Sequence, residues 1–137
     1  MRITRATEVP GRAANPDYFT GDVWQEPIAE TPTEPPLMVL HVRFPAGART
    51  AWHTHPFGQT LYIVGGVGLV QRRGAPAEMV RAGDAVWFEP GEEHWHGGTA
   101  AQAMAHIAMQ LKGPGGSADW LEKVSDTDYA AAQAALV

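Results

Sequence analysis

Apolar and polar residues alternate over short runs along most of this chain. The clearest run is 37–44, in which Leu40 and Val42 share one parity while His41 and Arg43 share the other. Because successive side chains of a strand point to opposite faces, this alternation predicts a strand with one buried face. Leu40 and Val42 are therefore expected to face the interior and line a pocket, and His41 is expected to face outwards.

Seven further short apolar runs are strand candidates, and turns rich in glycine and proline separate them. The chain has 15 glycines and 11 prolines. Many short strands joined by tight turns are typical of an all-β sandwich or barrel. The pair Gly65-Gly66 is expected to make a hairpin turn between two of these strands. The predicted strands lie at 51–55, 60–64, 67–72, 78–80, 85–88, 94–97 and 104–110.

The 137 residues, 45% of them hydrophobic, predict one domain with a single core. Residues 1–36 contain six prolines and are interpreted as an extended arm with one or two edge strands around residues 20–24. Residues 37–112 would form the barrel, and 113–137 a linker and a short C-terminal helix. Ser125, three residues before Asp128, favours a helix start there, and 119–123 is expected to be a helical turn. Because such arms often pack on a neighbouring subunit, a homo-oligomer, either a dimer or a tetramer, is expected.

Composition narrows the classes of partner. The net charge of -5 comes without a cluster of Lys or Arg, so no nucleic-acid partner is expected, because phosphate binding needs a basic face. There is no run of about 18 apolar residues and no apolar N-terminal leader, so no membrane association is expected and a cytoplasmic location is the default. The chain has no Cys, which leaves nitrogen and oxygen as metal ligands.

Two histidines one residue apart, followed by a glutamine, indicate a metal site. His53 and His55 point to the same side of an extended strand, about 7 Å apart along the backbone. Gln59 follows a turn and offers a carbonyl oxygen, and His94 follows a Pro-Gly turn at the start of another strand. Each histidine alone would be interpreted as an ordinary core or surface residue, but four donors at this spacing favour a metal. The neutral donors suit Mn(II), Fe(II), Co(II), Ni(II) or Zn(II), and the ion would keep its full charge.

Two further histidines are candidate proton carriers. His96 shares strand parity with His94, and an orienting or rim position is an equally good interpretation. His106 shares parity with Gln110 on the strand expected to close the barrel, and it would face an interior lined by Met and Ala. A catalytic role is therefore favoured for His106, and Gln110 joins Leu40 as a candidate pocket residue.

The motif G-x5-H-x-H-x3-Q-x6-G begins at Gly47 and ends at Gly66, and it is followed by Gly83 and by Gly91-x2-His94. This pattern resembles the two motifs of the cupin superfamily. The chain departs from the usual cupin pattern, which has Glu, Pro and Asn at the positions of Gln59, Glu89 and Gly98. The glutamine and its surroundings resemble the bacterial manganese-dependent cupin hydroxynitrile lyases.

The resemblance implies a jelly-roll fold, Mn(II) as cofactor, and a small-molecule substrate. The implied activity is cleavage of a cyanohydrin to an aldehyde and hydrogen cyanide, or the reverse addition. His53, His55, Gln59 and His94 would bind the ion, and His106 would accept or relay a proton. A quercetinase-like cupin dioxygenase remains an alternative, because the same four ligands would serve both enzymes. A non-enzymatic, metal-dependent small-molecule binding module is a third possibility, since jelly rolls host many unrelated roles.

Overall fold

The computed structural model describes all residues from Met1 to Val137, and the prediction of an all-β fold with a short C-terminal helix is confirmed. The strands are β1 (Arg12–Ala13), β2 (Phe19–Thr20), β3 (Trp24–Glu30), β4 (Leu37–Phe44), β5 (Arg49–Thr50), β6 (His53–Thr54), β7 (Gln59–Arg72), β8 (Glu78–Arg81), β9 (Ala85–Phe88), β10 (His94–Gly98), β11 (Met104–Leu111) and β12 (Asp119–Trp120). The α-helix α1 is Asp126–Ala132, and two 3-10 helices span Ala6–Glu8 and Gln133–Leu136. None of these helices has the length and apolar character needed to cross a membrane.

The strands form one antiparallel sheet that curls into two halves facing each other. One half runs in the order β1, β3, β4, β11 and β7, with β9 on the far side of β7. The other half contains β7 again, together with β8, β10, β5 and β2, and β6 and β12 extend it from β10. The interior between the two halves holds the main apolar core.

The long strand β7 joins the two halves. It runs unbroken through Gly65 and Gly66, so the predicted hairpin turn at this pair is wrong. Before the glycines β7 pairs with β9, and after them it pairs with β8 and β10. Gly66 has a φ of +72°, and a Cβ at this position would overlap the carbonyl oxygen of Ala103. The two glycines therefore bend one strand from one half into the other and do not reverse the chain.

The strands β4 and β11 present one face to the interior. In β4 Leu40 and Val42 are buried, and in β11 His106, Ala108 and Gln110 are buried. His106 lies opposite Val42, and Ala108 lies opposite Leu40. Directly opposite residues of paired strands share a face. Two neighbouring strands therefore direct polar and apolar side chains into the same interior volume.

The arm, residues 1–36, contributes β1 and β3, the outermost strands of the half that contains β4 and β11. Strand β3 runs from Trp24 to Glu30, which is later in the chain than the edge strand predicted around residues 20–24. It contains Pro27, and the register with β4 shifts between Pro27 and Ala29. Proline is tolerated in strands at bulges and near sheet edges, which is why the proline-rich composition did not exclude this strand.

The C-terminal segment returns to the barrel. Asp119–Trp120 forms strand β12 opposite His53–Thr54, so the helical turn expected at 119–123 is wrong. The Ser125 hydroxyl accepts a hydrogen bond from the backbone N–H of Asp128 at 3.1 Å, and α1 follows this cap. Tyr129 of α1 belongs to a second, smaller apolar cluster outside the main core.

Candidate metal centre and adjoining cavity

Three histidines meet inside the barrel because β6 and β10 lie side by side. His53 of β6 is directly opposite His94, the first residue of β10, and His55 follows β6 by one residue. The ring centroids of His53 and His94 are 4.3 Å apart, and those of His53 and His55 are 5.0 Å apart. The distance between the His55 and His94 centroids is 5.4 Å. All three side chains are buried, and their rings lie close together inside the barrel.

Each of these imidazoles is fixed by a hydrogen bond between Nδ1 and a backbone carbonyl oxygen. The acceptors are Ala51 for His53 at 2.9 Å, Ser117 for His55 at 2.6 Å, and Glu92 for His94 at 2.8 Å. Because a carbonyl oxygen only accepts, Nδ1 carries the proton and Nε2 keeps its lone pair. Metal-binding histidines are commonly oriented in this way by a partner on the other ring nitrogen.

Gln59 at the start of β7 turns its oxygen towards the histidines. Its amide nitrogen donates to Oε1 of Gln110 at 3.1 Å. Its Oε1 lies 3.1 Å from Nε2 of His94. Since the His94 proton is on Nδ1, these two facing atoms are both acceptors, and no hydrogen lies between them. A cation bound by both atoms would remove their repulsion, so the donor set fits a divalent metal ion.

Burial keeps the interior histidines neutral. It lowers the pKa of His94 and of His106 to about 3. Burial, followed by the charge on neighbouring rings, lowers the pKa of His53 and of His96 well below the ordinary value of 6.5. Burial also lowers the pKa of His55. Near neutral pH these imidazoles therefore have a lone pair available for a metal ion or a proton.

His96 brings a further nitrogen close to the centre. Ligand atoms of His53, His94 and His96 lie within 4.8 Å of one another, and this buried three-histidine group could hold a metal ion. The group shares His53 and His94 with the ligand set predicted from the sequence and includes His96 in place of His55. The Nε2 atoms of His55 and His96 are both buried without a hydrogen-bond partner. Both rings therefore have an unused nitrogen in this volume.

His96 and His106 form a hydrogen-bonded pair. Nδ1 of His96 and Nε2 of His106 are 3.0 Å apart, and both rings are buried. One nitrogen donates and the other accepts, so a single proton lies between the rings. The outer nitrogens, Nε2 of His96 and Nδ1 of His106, have no partner. In either tautomer the neutral pair presents one bare nitrogen and one N–H to its surroundings.

A cavity of about 190 Å³ lies beside these donors. Of the nine residues that the sequence singled out, eight line it: Leu40, Val42, His53, His55, Gln59, His96, His106 and Gln110. The ninth, His94, does not line it; its Nε2 lies 3.1 Å from Gln59 Oε1, and its ring stacks on Phe88 with centroids 3.7 Å apart. An apolar cavity of about 150 Å³ holds benzene, so this volume suits a substrate about the size of one aromatic ring with a small substituent.

The sequence analysis did not identify the residues at the open side of the cavity. Arg12 and Gln25 come from the arm, and Ser117, Ala118 and Trp120 come from the C-terminal segment. The Trp120 ring lies against His53 with centroids 4.6 Å apart. Four of these residues have no local pattern that marks them, because they reach the cavity through pairing of distant segments. Trp120 is the exception, because an aromatic residue after a glycine-rich break is a signal that the sequence offers.

Residues 40–109 match the family model described as "Cupin domain". Over 129 residues the chain is 43% identical to a protein of Granulicella tundricola called (R)-mandelonitrile lyase. That alignment covers 94% of this chain and 98% of the relative.

Solved structures give the same assignment. A cupin-like protein from Thermotoga maritima is 37% identical, with a TM-score of 0.82 over 88% of this chain and 91% of that one. A predicted oxalate decarboxylase from the same organism is 18% identical, with a TM-score of 0.69 over 79% of this chain and 96% of that one, and this likeness shows the fold alone. The predicted jelly-roll fold is therefore confirmed, and the chain belongs to the cupin family.

Proposed function

We propose that this protein is a metal-dependent hydroxynitrile lyase, which cleaves a cyanohydrin to an aldehyde and hydrogen cyanide or catalyses the reverse addition. The observation that carries the proposal is the approach of two acceptor atoms, Gln59 Oε1 and His94 Nε2, to 3.1 Å beside a cavity that contains a histidine pair. The relative called (R)-mandelonitrile lyase, which is similar over almost the whole chain, supports this choice of chemistry.

The proposed metal ligands are His53, His55, Gln59 and His94. Three of them are imidazoles whose Nδ1 is bound to a carbonyl oxygen, and the fourth is an amide whose nitrogen is bound to Gln110. Manganese is the ion that the family resemblance favours, with iron, cobalt, nickel and zinc as alternatives. A bound divalent ion would supply Lewis-acid polarisation of a substrate oxygen.

His96 and His106 would move the proton. In cyanohydrin cleavage the hydroxyl loses its proton, the bond to the nitrile carbon breaks, and the electron pair leaves with cyanide. A bare nitrogen at one end of the pair accepts the hydroxyl proton, and the N–H at the other end donates a proton to cyanide. Transfer across the 3.0 Å hydrogen bond accompanies these steps and leaves the pair uncharged in its other tautomer. The products are an aldehyde and hydrogen cyanide, so the protons balance.

Apolar side chains would hold the rest of the substrate. Leu40, Val42 and Phe44 line the cavity from β4, and Phe19 and Trp120 line it from other strands. These walls exclude water from the histidine pair and favour an aromatic or aliphatic substituent. A fixed position for the substrate oxygen and the proton carrier also exposes only one face of an aldehyde to cyanide. The reverse reaction is therefore expected to give an enantiomerically enriched cyanohydrin.

Cyanide release from mandelonitrile by the manganese-loaded protein tests this function. Chelator-treated protein should be inactive, and His106→Ala should be slower by about 10²-fold while keeping its metal. His41→Ala is the matched control, because His41 lies on the outer face of β4, and it should retain full activity.

Release no faster than that with free manganese ions, across several aromatic and aliphatic cyanohydrins, would eliminate the lyase. Oxygen consumption with a phenolic substrate would then support a dioxygenase. Tight ligand binding without turnover would support a binding module. Full metal occupancy in both His53→Ala and His94→Ala would contradict the proposed ligand set.

A further inference from the structure

The wall of the cavity contains no acidic side chain. None of its eighteen residues is Asp or Glu, and Arg12 is the only one with a permanent charge. Because its histidines are neutral and the proposed metal ligands are also neutral, no side chain in the wall offsets the charge of an ion or of Arg12. A site of this kind attracts anionic groups.

Arg12 stands across the cavity from the histidine pair. His106 is opposite Val42, Val42 is opposite Gln25, and Gln25 is opposite Arg12. All four residues therefore lie in one row on the inner face of the sheet. Three strand spacings, about 14 Å along the curved sheet, separate the Cα atoms of His106 and Arg12. His106 is fully buried and Arg12 is exposed, so the row runs from the inner end of the cavity to its mouth.

The Arg12 guanidinium is available to a ligand. It takes part in no ion pair, and its one side-chain hydrogen bond runs from Nε to Gln25 Oε1 at 3.5 Å. In contrast, Arg49 is bound to Asp126, and Arg73 is bound to two carboxylates. A guanidinium group donates two parallel hydrogen bonds to a carboxylate, which makes it a specific receptor for that group.

We propose that Arg12 binds a carboxylate of the substrate, so that the preferred substrates are aldehydes and cyanohydrins with an acid group remote from the reacting carbon. This inference rests on the proposed lyase function for the reacting end of the substrate. The apolar residues Met38, Leu40 and Val42 lie between the two polar ends of the cavity and would contact the ring or chain that joins them. Such a ligand places its acid group at the mouth and its carbonyl group beside the histidine pair.

Binding of two unreactive probes tests the role of Arg12 without requiring turnover. The probes are 4-(hydroxymethyl)benzoate and benzyl alcohol, which differ only in the carboxylate, and titration calorimetry on the manganese-loaded protein gives their Kd values. We expect the carboxylate probe to bind at least about tenfold more tightly, the range of a charge-assisted contact. Arg12→Gln should bring the ratio of the two Kd values close to one, and Arg12→Lys should retain part of the preference.

Arg2→Gln is the matched control, because Arg2 is also an exposed arginine of the arm but lies outside the cavity. It should preserve the full preference. Equal binding of the two probes would overturn the inference. A preference that survives in Arg12→Gln would also overturn it, because the carboxylate would then be bound elsewhere, for example at the metal.

Kinetics with 4-carboxybenzaldehyde and benzaldehyde separate this inference from the proposed function. We expect a higher kcat/KM for the carboxylate substrate. In Arg12→Gln this kcat/KM should decrease, mainly because KM increases. Equal kcat/KM values would overturn the inference and leave the lyase intact. Absence of cyanohydrin formation from every aldehyde, with Arg12-dependent binding preserved, would remove the lyase and leave the carboxylate site.

Discussion

At the scale of single residues, Gln59 sets the charge of the candidate centre. Its amide is neutral, whereas a carboxylate would offset one unit of the metal charge. Gln59→Glu should therefore keep the metal and weaken the binding of azide or cyanide. Anion titration of the manganese-loaded protein, followed by electron paramagnetic resonance, measures this affinity. Equal or tighter anion binding by Gln59→Glu would contradict the proposed electrostatics.

His106 should make the stability of the metal-free protein depend on pH. Burial lowers its pKa from 6.5 to about 3, so between these values the unfolded chain binds a proton that the folded chain does not. Its contribution to the unfolding free energy is complete above pH 6.5 and falls by about 1.4 kcal/mol per pH unit down to about pH 3. Urea unfolding measured from pH 7 to 4 gives the unfolding free energy at each pH. For His106→Gln this free energy should fall less steeply with decreasing pH than for the wild type, by a slope that corresponds to about one proton. Parallel curves for the two proteins would show that folding does not lower the pKa of His106.

The candidate ligand residues could be named from the sequence because their spacing is local. His53 and His55 share a strand face by alternation, and turns deliver Gln59 and His94. The approach of a His96 nitrogen to within 4.8 Å of nitrogens of His53 and His94 was not predictable, since it depends on how β10 curves against β6. The position of Arg12 at the cavity was not predictable for a similar reason, since it depends on the pairing of β1 with β3 and of β3 with β4.

At the scale of elements, strand β4 forms one wall of the cavity that is proposed to hold the substrate. Leu40→Ala should raise the relative kcat/KM for bulkier cyanohydrins and leave metal content unchanged, because Leu40 lines the cavity and binds no ligand of the centre. The truncation should also lower the unfolding free energy by about 2–5 kcal/mol. Val39→Ala is the control, because Val39 belongs to the same strand but faces outwards. An unchanged size preference in Leu40→Ala would place the substrate elsewhere.

The strands were predicted better than their connections. Alternation marks a strand wherever one face is buried, which is why the inward face of β4 could be assigned from residues 37–44. A Gly-Gly pair is an ambiguous signal, because the same backbone freedom allows a turn or a bend within a strand. At Gly65 and Gly66 the bend forms because β7 pairs with β11 at these glycines and with β10 after them. Both partner strands come later in the chain.

At the scale of the whole molecule, the outer face of the sheet favours self-association. Tyr62, Ile107 and His41 lie opposite one another in one row, and Trp87, Met109 and Val39 lie in the next. Tyr62 is 47% exposed and Trp87 is 52% exposed. The face measures roughly 25 Å by 25 Å, which approaches the area of about 800 Å² per partner in a stable interface. Because an interface between identical faces closes as a dimer, we expect a second copy of the chain to cover it.

Tyr62→Lys should therefore shift the protein to monomers in light scattering coupled to gel filtration, because it places a charge in the centre of this apolar face. Leu121→Lys, a partly exposed position away from the face, should leave the oligomer unchanged. A wild-type protein that is monomeric at all concentrations would refute the expected homo-oligomer.

The division into an arm at 1–36, a barrel at 37–112 and a tail at 113–137 stays a prediction, but the cavity draws residues from all three segments. Sequence patterns assign segments by local composition, whereas a cavity is assembled by contacts between distant segments. The barrel supplies the candidate metal donors, the arm supplies Arg12, and the tail supplies Trp120. This explains why the sequence pointed to the candidate donors and not to the residues at the mouth of the cavity.

We expect tail docking and metal occupancy to be linked equilibria, because the proposed ligand His55 donates a hydrogen bond to the carbonyl oxygen of Ser117 and β12 pairs with β6. By reciprocity, the free energy that a docked tail adds to metal affinity is the free energy that a bound metal adds to tail docking. Chelator-treated protein should consequently be cleaved faster by a protease at the exposed Pro114 and Gly115 than metal-loaded protein. Equal cleavage rates would show that the two are independent. If they are linked, the rate of cleavage in the exposed tail measures how much of the protein has metal bound.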